Sequence, residues 1–135
     1  MTDIEARGAR FARLWILIAV VYLVAGVCIG IFMAAAQKLQ YIPVHAHVNL
    51  LGWVTMGLAG LIYGRYPQAG GSRLGQVHFW GHNIVLPILI AGLIFMFSGH
   101  PEFEPVMVAG SLLMLVVLVV FAVNLYLNLP KPPTA

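Results

Sequence analysis

Four apolar segments, each long enough to cross a bilayer as a helix, make up most of this chain. They are residues 14–33, 45–63, 77–97 and 106–127, and none contains Asp, Glu, Lys or Arg. A hydrocarbon core of about 30 Å needs roughly 20 apolar residues in helical conformation. Only 8% of the residues are charged, against about 25% in soluble domains. The sequence predicts an all-α membrane protein, with residues 1–135 forming a single four-helix transmembrane domain.

The basic residues predict how these helices are oriented. Lys38 alone follows the first segment, and the other six lie at the opposite end: Arg7, Arg10, Arg13, Arg65, Arg73 and Lys131. Because short basic loops stay on the cytoplasmic side, both termini are expected to be cytoplasmic, in a bacterial-type inner membrane that the chain crosses several times. The basic residues are scattered, so no nucleic-acid partner is expected. Membrane lipid is the expected partner.

Aromatic residues with a polar atom lie near the ends of the segments, where membrane proteins place them at the lipid–water interfaces. The residues expected there are Trp15, Tyr41, Tyr63, Tyr66, Trp80 and Tyr126.

Histidines provide nearly all the ionisable groups inside the predicted membrane region, and such groups are functional candidates by default. They are His45, His47, His78 and His82, with His100 in a solvated connection. Because no carboxylate accompanies them, metal or haem ligation fits them better than proton pumping. The single cysteine, Cys28, and the absence of C-x-x-C-H exclude haem attached through that motif.

His45 and His47 form an i, i+2 pair at the start of the second segment. Residues at this spacing point about 200° apart on a helix, so the two rings cannot bind one metal ion from one face. Each can instead serve a different haem, or one can serve a haem and the other a second site.

His78 and His82 form an i, i+4 pair and share a helix face, which is a possible metal-ligand spacing. The alternative is a pair of interfacial histidines satisfied by headgroups, water or Asn83. The pair is expected roughly 15–20 Å from His45 and His47 along the membrane normal. A haem with two histidine ligands at the level of His45 then needs His100 or a second copy of the chain.

Two glycine pairs have the G-x-x-x-G spacing, Gly26 with Gly30 and Gly60 with Gly64. Close helix packing is the favoured interpretation. The alternative is space for a flat cofactor against the backbone, for which Gly52 and Gly57 are also suited.

The order of these motifs resembles subunit I of the haem–copper oxidase and nitric oxide reductase superfamily. The H-x-H of His45 and His47, followed by LGQVHFW at residues 74–80, is similar to the second and third helices of that family's last four-helix arc. The resemblance covers roughly residues 44–97. It implies that His45 and His47 are axial ligands of haem iron, on opposite faces, and that His78 is not a ligand. The family's adjacent His–His copper motif and its His–Tyr arrangement are absent, so oxygen reduction with proton pumping is not implied.

The favoured function is therefore a membrane protein carrying non-covalent haem b, acting in electron transfer or in binding O2 or NO. A redox partner or a quinol is then a possible partner. The alternatives are a non-catalytic accessory or assembly subunit of a respiratory oxidase, and a small metal carrier using His78 and His82. Three copies of this four-helix chain would reproduce the family's three arcs. A homotrimer sharing haem between copies is therefore favoured, with a homodimer as the alternative.

Overall fold

A computed structural model describes residues 2–130 of the chain. Residues 2–130 are 92% helical, and four helices among them are long and apolar enough to span a membrane. No strand occurs among residues 2–130. The predicted all-α fold with four membrane-length helices is confirmed. Lys131, one of the basic residues behind the predicted orientation, lies outside the described part of the chain.

Six α-helices and one π-helical segment build the structure. They are α1 (Asp3–Ala36), α2 (Ile42–His47), the π-helical segment (Val48–Thr55), α3 (Met56–Arg65), α4 (Pro67–Gly71), α5 (Arg73–Phe97) and α6 (Glu104–Asn128). The second span runs continuously over Leu39–Arg65 and contains α2, the π-helical segment and α3. Short 3-10 helices, Leu39–Tyr41 and Pro101–Phe103, lead into α2 and α6.

All four spans begin earlier than the apolar segments predicted, and polar side chains cap the early starts of α1 and α5. The Thr2 hydroxyl accepts from the Glu5 N–H at 3.3 Å and the Glu5 carboxylate accepts from the Thr2 N–H at 2.7 Å, so α1 begins before residue 14. The Ser72 hydroxyl accepts from the Gly75 N–H at 2.9 Å, so α5 begins before residue 77. These caps satisfy backbone donors that a helix start leaves free.

The helices form two hairpins that join along buried aromatic side chains. Helix α1 packs against the second span and α4, and α5 packs against α6. Trp15 of α1 meets Phe79 of α5 edge to face, with ring centroids 5.3 Å apart. We call the end formed by residues 2–13, 65–73 and 128–130 the terminal end, and the end formed by residues 37–41 and 98–103 the far end.

Three glycines of the two pairs, Gly26, Gly30 and Gly60, are sites of close helix packing, whereas a Cβ on Gly64 would reach only ordinary contact with Ala12 Cβ at 3.9 Å. A Cβ on Gly30 would lie 3.2 Å from the His45 ring, and one on Gly60 would lie 3.1 Å from Trp15 Cβ. At Gly26 a Cβ would meet the Asn49 side chain, and at Gly52 it would meet the Tyr22 ring. Side chains of this chain already fill the space beside these glycines, which supports the packing interpretation.

Two of the six aromatic residues expected at the interfaces are buried. Trp15 and Tyr63 are fully buried in the bundle, whereas Trp80 and Tyr126 are exposed. Trp15 and Tyr63 therefore contact neighbouring helices, and their depth in the membrane stays a prediction. Both rings pack around His78, a contact between segments that hydropathy along the chain does not encode.

Candidate functional site

His45 lies against helix α1 near the far end of the bundle. Its Nδ1 is 3.0 Å from the Gly26 carbonyl oxygen and 3.5 Å from Asn49 Nδ2. A carbonyl can only accept, and the Asn49 amide donates to the His45 carbonyl at 2.8 Å instead. His45 Nδ1 therefore carries the proton, and in the neutral ring Nε2 is left with a free lone pair.

His47 reaches the same protonation pattern through its own helix. Its Nδ1 lies 2.8 Å from the Pro43 carbonyl oxygen, four residues earlier. A carbonyl oxygen has two lone pairs, so it can accept the Nδ1–H in addition to a backbone N–H of the helix. His47 Nε2 is then the atom with the lone pair, as in His45.

This pattern fits the donor set that haem iron requires. Metal-ligating histidines almost always donate the other ring N–H to a carbonyl or carboxylate, which sets the tautomer and the ring orientation. Both His45 and His47 have that arrangement with a backbone carbonyl. Neither ring lines the apolar cavity of about 240 Å³ nearby, which is formed by Ile29, Phe32, Tyr41, Val44 and Ile94.

His78 and His82 lie inside the bundle rather than at an interface. Both are 0% exposed. Asn83 does not satisfy them, because its side-chain amide donates to the Phe79 carbonyl at 2.8 Å. Burial therefore excludes lipid headgroups as partners of this pair, and the bond to Phe79 excludes Asn83, which leaves water among the three predicted partners. Helices α1 and α6 and the second span cover the face of α5 that carries them.

A polar network anchors His78. The Tyr63 hydroxyl lies 2.9 Å from His78 Nδ1. Asn124 of α6 donates to that hydroxyl at 3.1 Å and to the Ala69 carbonyl at 3.0 Å. Ser72 donates to Asn124 Oδ1 at 2.7 Å. The network joins the second span, α4, α5 and α6 near the terminal end.

His82 bonds to the π-helical segment. Its Nε2 lies 3.1 Å from the Leu51 carbonyl oxygen. Leu51 follows His47 by four residues, which is about 6 Å along a helix axis at 1.5 Å per residue. We predicted that the two histidine pairs lie roughly 15–20 Å apart along the membrane normal. For His82 this distance is too large, because its ring bonds to a residue only about 6 Å along the helix axis from His47.

Aromatic rings surround the buried histidines. His78 stacks on Phe121, with centroids 4.4 Å apart and an interplanar angle of 18°. Trp15 lies 4.7 Å from His78 and 5.2 Å from His82 between ring centroids. Neither spacing nor hydropathy along the chain groups Trp15, Tyr63 and Asn124 with the histidines. The one available signal was Asn124, an amide inside an otherwise strongly apolar segment.

His100 is solvent-exposed at the far end, as predicted. Its Nδ1 lies 3.0 Å from the Glu102 carboxylate, and the side chains are 55% and 63% exposed. Within residues 2–130, no three His, Cys, Asp or Glu side chains come together to hold a metal ion. The structure thus contains two separate histidine pairs, the far-end pair (His45 and His47) and the buried pair (His78 and His82).

No protein family, curated protein or solved structure matches this chain.

Proposed function

We propose that this chain is an integral membrane protein that binds haem b through His45 and His47, for electron transfer or for binding a diatomic gas. The observation that carries the proposal is the hydrogen bonding shared by the two rings, since each has its Nδ1 within 3.0 Å of a backbone carbonyl oxygen. Each Nδ1–H is held by a backbone carbonyl, which leaves each Nε2 as a ligand for iron. The resemblance to subunit I of the haem–copper oxidase superfamily points to the same two residues.

The chain's own residues orient these ligands. The Gly26 carbonyl on α1 holds the His45 ring, and the absence of side chains at Gly26 and Gly30 leaves room for that ring and Asn49. The Pro43 carbonyl holds the His47 ring within the second span. When bound, haem iron supplies one-electron redox chemistry, or an open coordination position for O2 or NO.

The i, i+2 spacing of His45 and His47 leads us to propose a homo-oligomer, with a trimer favoured over a dimer. Residues at i and i+2 point about 200° apart, so one copy offers one ligand to each side. A closed ring of copies allows His45 of one copy and His47 of the next to ligate the same haem. Native mass spectrometry in detergent tests this. A haem-loaded trimer is expected; a haem-loaded monomer contradicts ligand sharing, and a dimer contradicts threefold symmetry.

We place the terminal end in the cytoplasm of a cell with a bacterial-type inner membrane. Arg7, Arg10, Arg13, Arg65 and Arg73 lie at that end, and Lys38 lies at the far end. If the haem transfers electrons, its proposed partner is a quinol or a redox protein. A cysteine-accessibility assay on intact cells, with single cysteines at Arg73 and Lys38 in a Cys28→Ala background, should label only the variant at Lys38.

A reduced-minus-oxidised spectrum of the purified protein tests the cofactor. The protein, expressed with ample haem, should show a b-type spectrum, and acid–acetone should extract the pigment because no C-x-x-C-H attaches it. A colourless protein would refute the haem proposal. A colourless protein that copurifies with an oxidase would favour the accessory-subunit alternative.

A further inference from the structure

Three buried polar atoms without a hydrogen-bond partner lie in one cluster, formed by Trp15, His78 and His82. They are Trp15 Nε1, His78 Nε2 and His82 Nδ1. All three residues are 0% exposed. The ring centroids lie 4.7 Å (Trp15 to His78), 5.2 Å (Trp15 to His82) and 5.7 Å (His78 to His82) apart. Since buried polar groups almost always have partners, three such atoms in one cluster point to a bound molecule.

The neighbouring hydrogen bonds assign a proton to each histidine. His82 Nε2 faces the Leu51 carbonyl, which can only accept, so Nε2 is protonated and Nδ1 holds a lone pair. The Tyr63 hydroxyl accepts from Asn124 and lies 2.9 Å from His78 Nδ1. Its own hydrogen therefore goes to His78 Nδ1, and His78 Nε2 carries the ring proton.

The cluster thus presents two donors, Trp15 Nε1–H and His78 Nε2–H, and one acceptor, His82 Nδ1. We propose that Trp15, His78 and His82 form a binding site for one water molecule, which accepts from Trp15 and His78 and donates to His82. Three hydrogen bonds are the usual number for a buried water. The site stands independently of the haem proposal, because it shares no residue with the far-end pair.

A metal ion fits this cluster less well than water does. Binding one through both histidines would require His78 Nε2 to give up its proton, which would displace the hydrogen that Tyr63 donates to Nδ1. The Trp15 N–H would then direct a positive dipole at a cation. No third His, Cys, Asp or Glu within residues 2–130 completes a metal site here, and an uncompensated positive charge is expensive within a membrane.

The bound water would complete a hydrogen-bonded connection through the bundle. From the terminal end, the connection runs through Asn124, Tyr63, His78, the water and His82 to the Leu51 carbonyl. It would join the second span at two positions, one in α3 and one in the π-helical segment, through side chains of α5. The direct bond from His82 to the Leu51 carbonyl links α5 to the π-helical segment, and the water would fix the orientation of the His82 ring that makes this bond.

Solution NMR of the 15N-labelled full-length protein in detergent tests the site. Trp15 should show magnetisation transfer between its indole N–H and a bound water. Its signal is identified by its loss in Trp15→Phe and its retention in the matched control Trp80→Phe, whose ring is exposed. If Trp15→Phe does not fold, Trp80→Phe and Trp53→Phe identify the same signal by elimination.

Two further readouts use the unmodified protein. The 15N shifts should show protonated Nε2 in both buried histidines, with unprotonated Nδ1. Addition of Ag(I) or Zn(II) should leave these signals unchanged. Absence of water transfer at Trp15, a protonated His82 Nδ1, or one equivalent of metal that is lost in His82→Ala would each overturn the proposal.

Discussion

The two histidine pairs of this protein have the same chemistry and opposite surroundings. In the far-end pair, each ring is partly exposed and bonds through Nδ1 to a backbone carbonyl. In the buried pair, each ring is fully buried among aromatic side chains and keeps one nitrogen without a protein partner. The first arrangement leaves a ligand available to a large cofactor. The second leaves one nitrogen of each ring for the water molecule that we propose.

The spacing of the histidines along the chain determines which faces of a helix they occupy. The packing of the helices determines which side chains those faces contact. The i, i+4 spacing does place His78 and His82 on one face of α5. That face is covered by Trp15 of α1 and Phe121 of α6, so the pair is closed to anything as large as haem. Four predictions, from the largest effect to the smallest, test this comparison.

Haem binding should separate the pairs completely. His45→Ala and His47→Ala should each abolish or strongly shift the haem spectrum, because the axial ligand controls the iron. His100→Ala, which changes an exposed histidine at the same end, is the matched control and should leave the spectrum unchanged. Haem lost in His78→Ala and His82→Ala, but kept in both far-end variants, would reverse the assignment of the pairs.

The free energy of unfolding should depend strongly on the buried pair, in contrast to haem binding. His78→Ala removes a fully buried ring and the acceptor of the Tyr63 hydroxyl, so it should lower the free energy of unfolding by about 3 kcal/mol. Tyr126→Ala, an aromatic substitution at an exposed position of α6, should change it by less than about 0.5 kcal/mol. Reversible unfolding in mixed detergent measures both. Equal losses would show that the buried cluster does not hold the bundle together.

The backbone beside the far-end pair can be tested with a single methyl group. A Cβ on Gly26 would lie 2.7 Å from Asn49 Cγ, whereas one on Gly64 would lie 3.9 Å from Ala12 Cβ. Gly26→Ala should therefore displace Asn49 from the His45 carbonyl, cost about 1 kcal/mol of stability and reduce haem occupancy. Gly64→Ala is the control for both measurements. Full occupancy in Gly26→Ala would mean that Asn49 does not position His45.

The smallest effect is expected at the far end. Ser98 donates to the Ile94 carbonyl at 2.7 Å, so the Tyr41 hydroxyl donates to Ser98 Oγ at 2.8 Å. Tyr41→Phe removes this exposed link between the two connections and should cost about 0.5 kcal/mol. The same unfolding assay measures it, with the haem spectrum as the control. If Tyr41→Phe lowered the free energy of unfolding as much as His78→Ala does, the expected order of these effects would be wrong.

Much of the fold follows from the sequence alone. Residues 14–33, 45–63, 77–97 and 106–127 are uncharged and of membrane-spanning length, and an isolated apolar segment in lipid must satisfy its backbone as a helix. The G-x-x-x-G spacing likewise predicts the close packing seen at Gly26, Gly30 and Gly60, and the position of His100 in a connection predicts its exposure. The early starts of α1 and α5 were also encoded locally, in the caps at Thr2 and Ser72, although hydropathy does not register them.

The interior of the bundle was decided only by the tertiary structure. Hydropathy places Trp15, Tyr63 and His78 near segment ends and so favours the interface for each. In the structure, Asn124 of α6 and Trp15 of α1 lie more than 45 residues away in sequence from both Tyr63 and His78, on either side, and enclose these two residues. A hydrogen bond between distant segments leaves no periodic signal in either. Which polar atoms are satisfied, and which are left to bind a water, therefore depends on how the four helices meet.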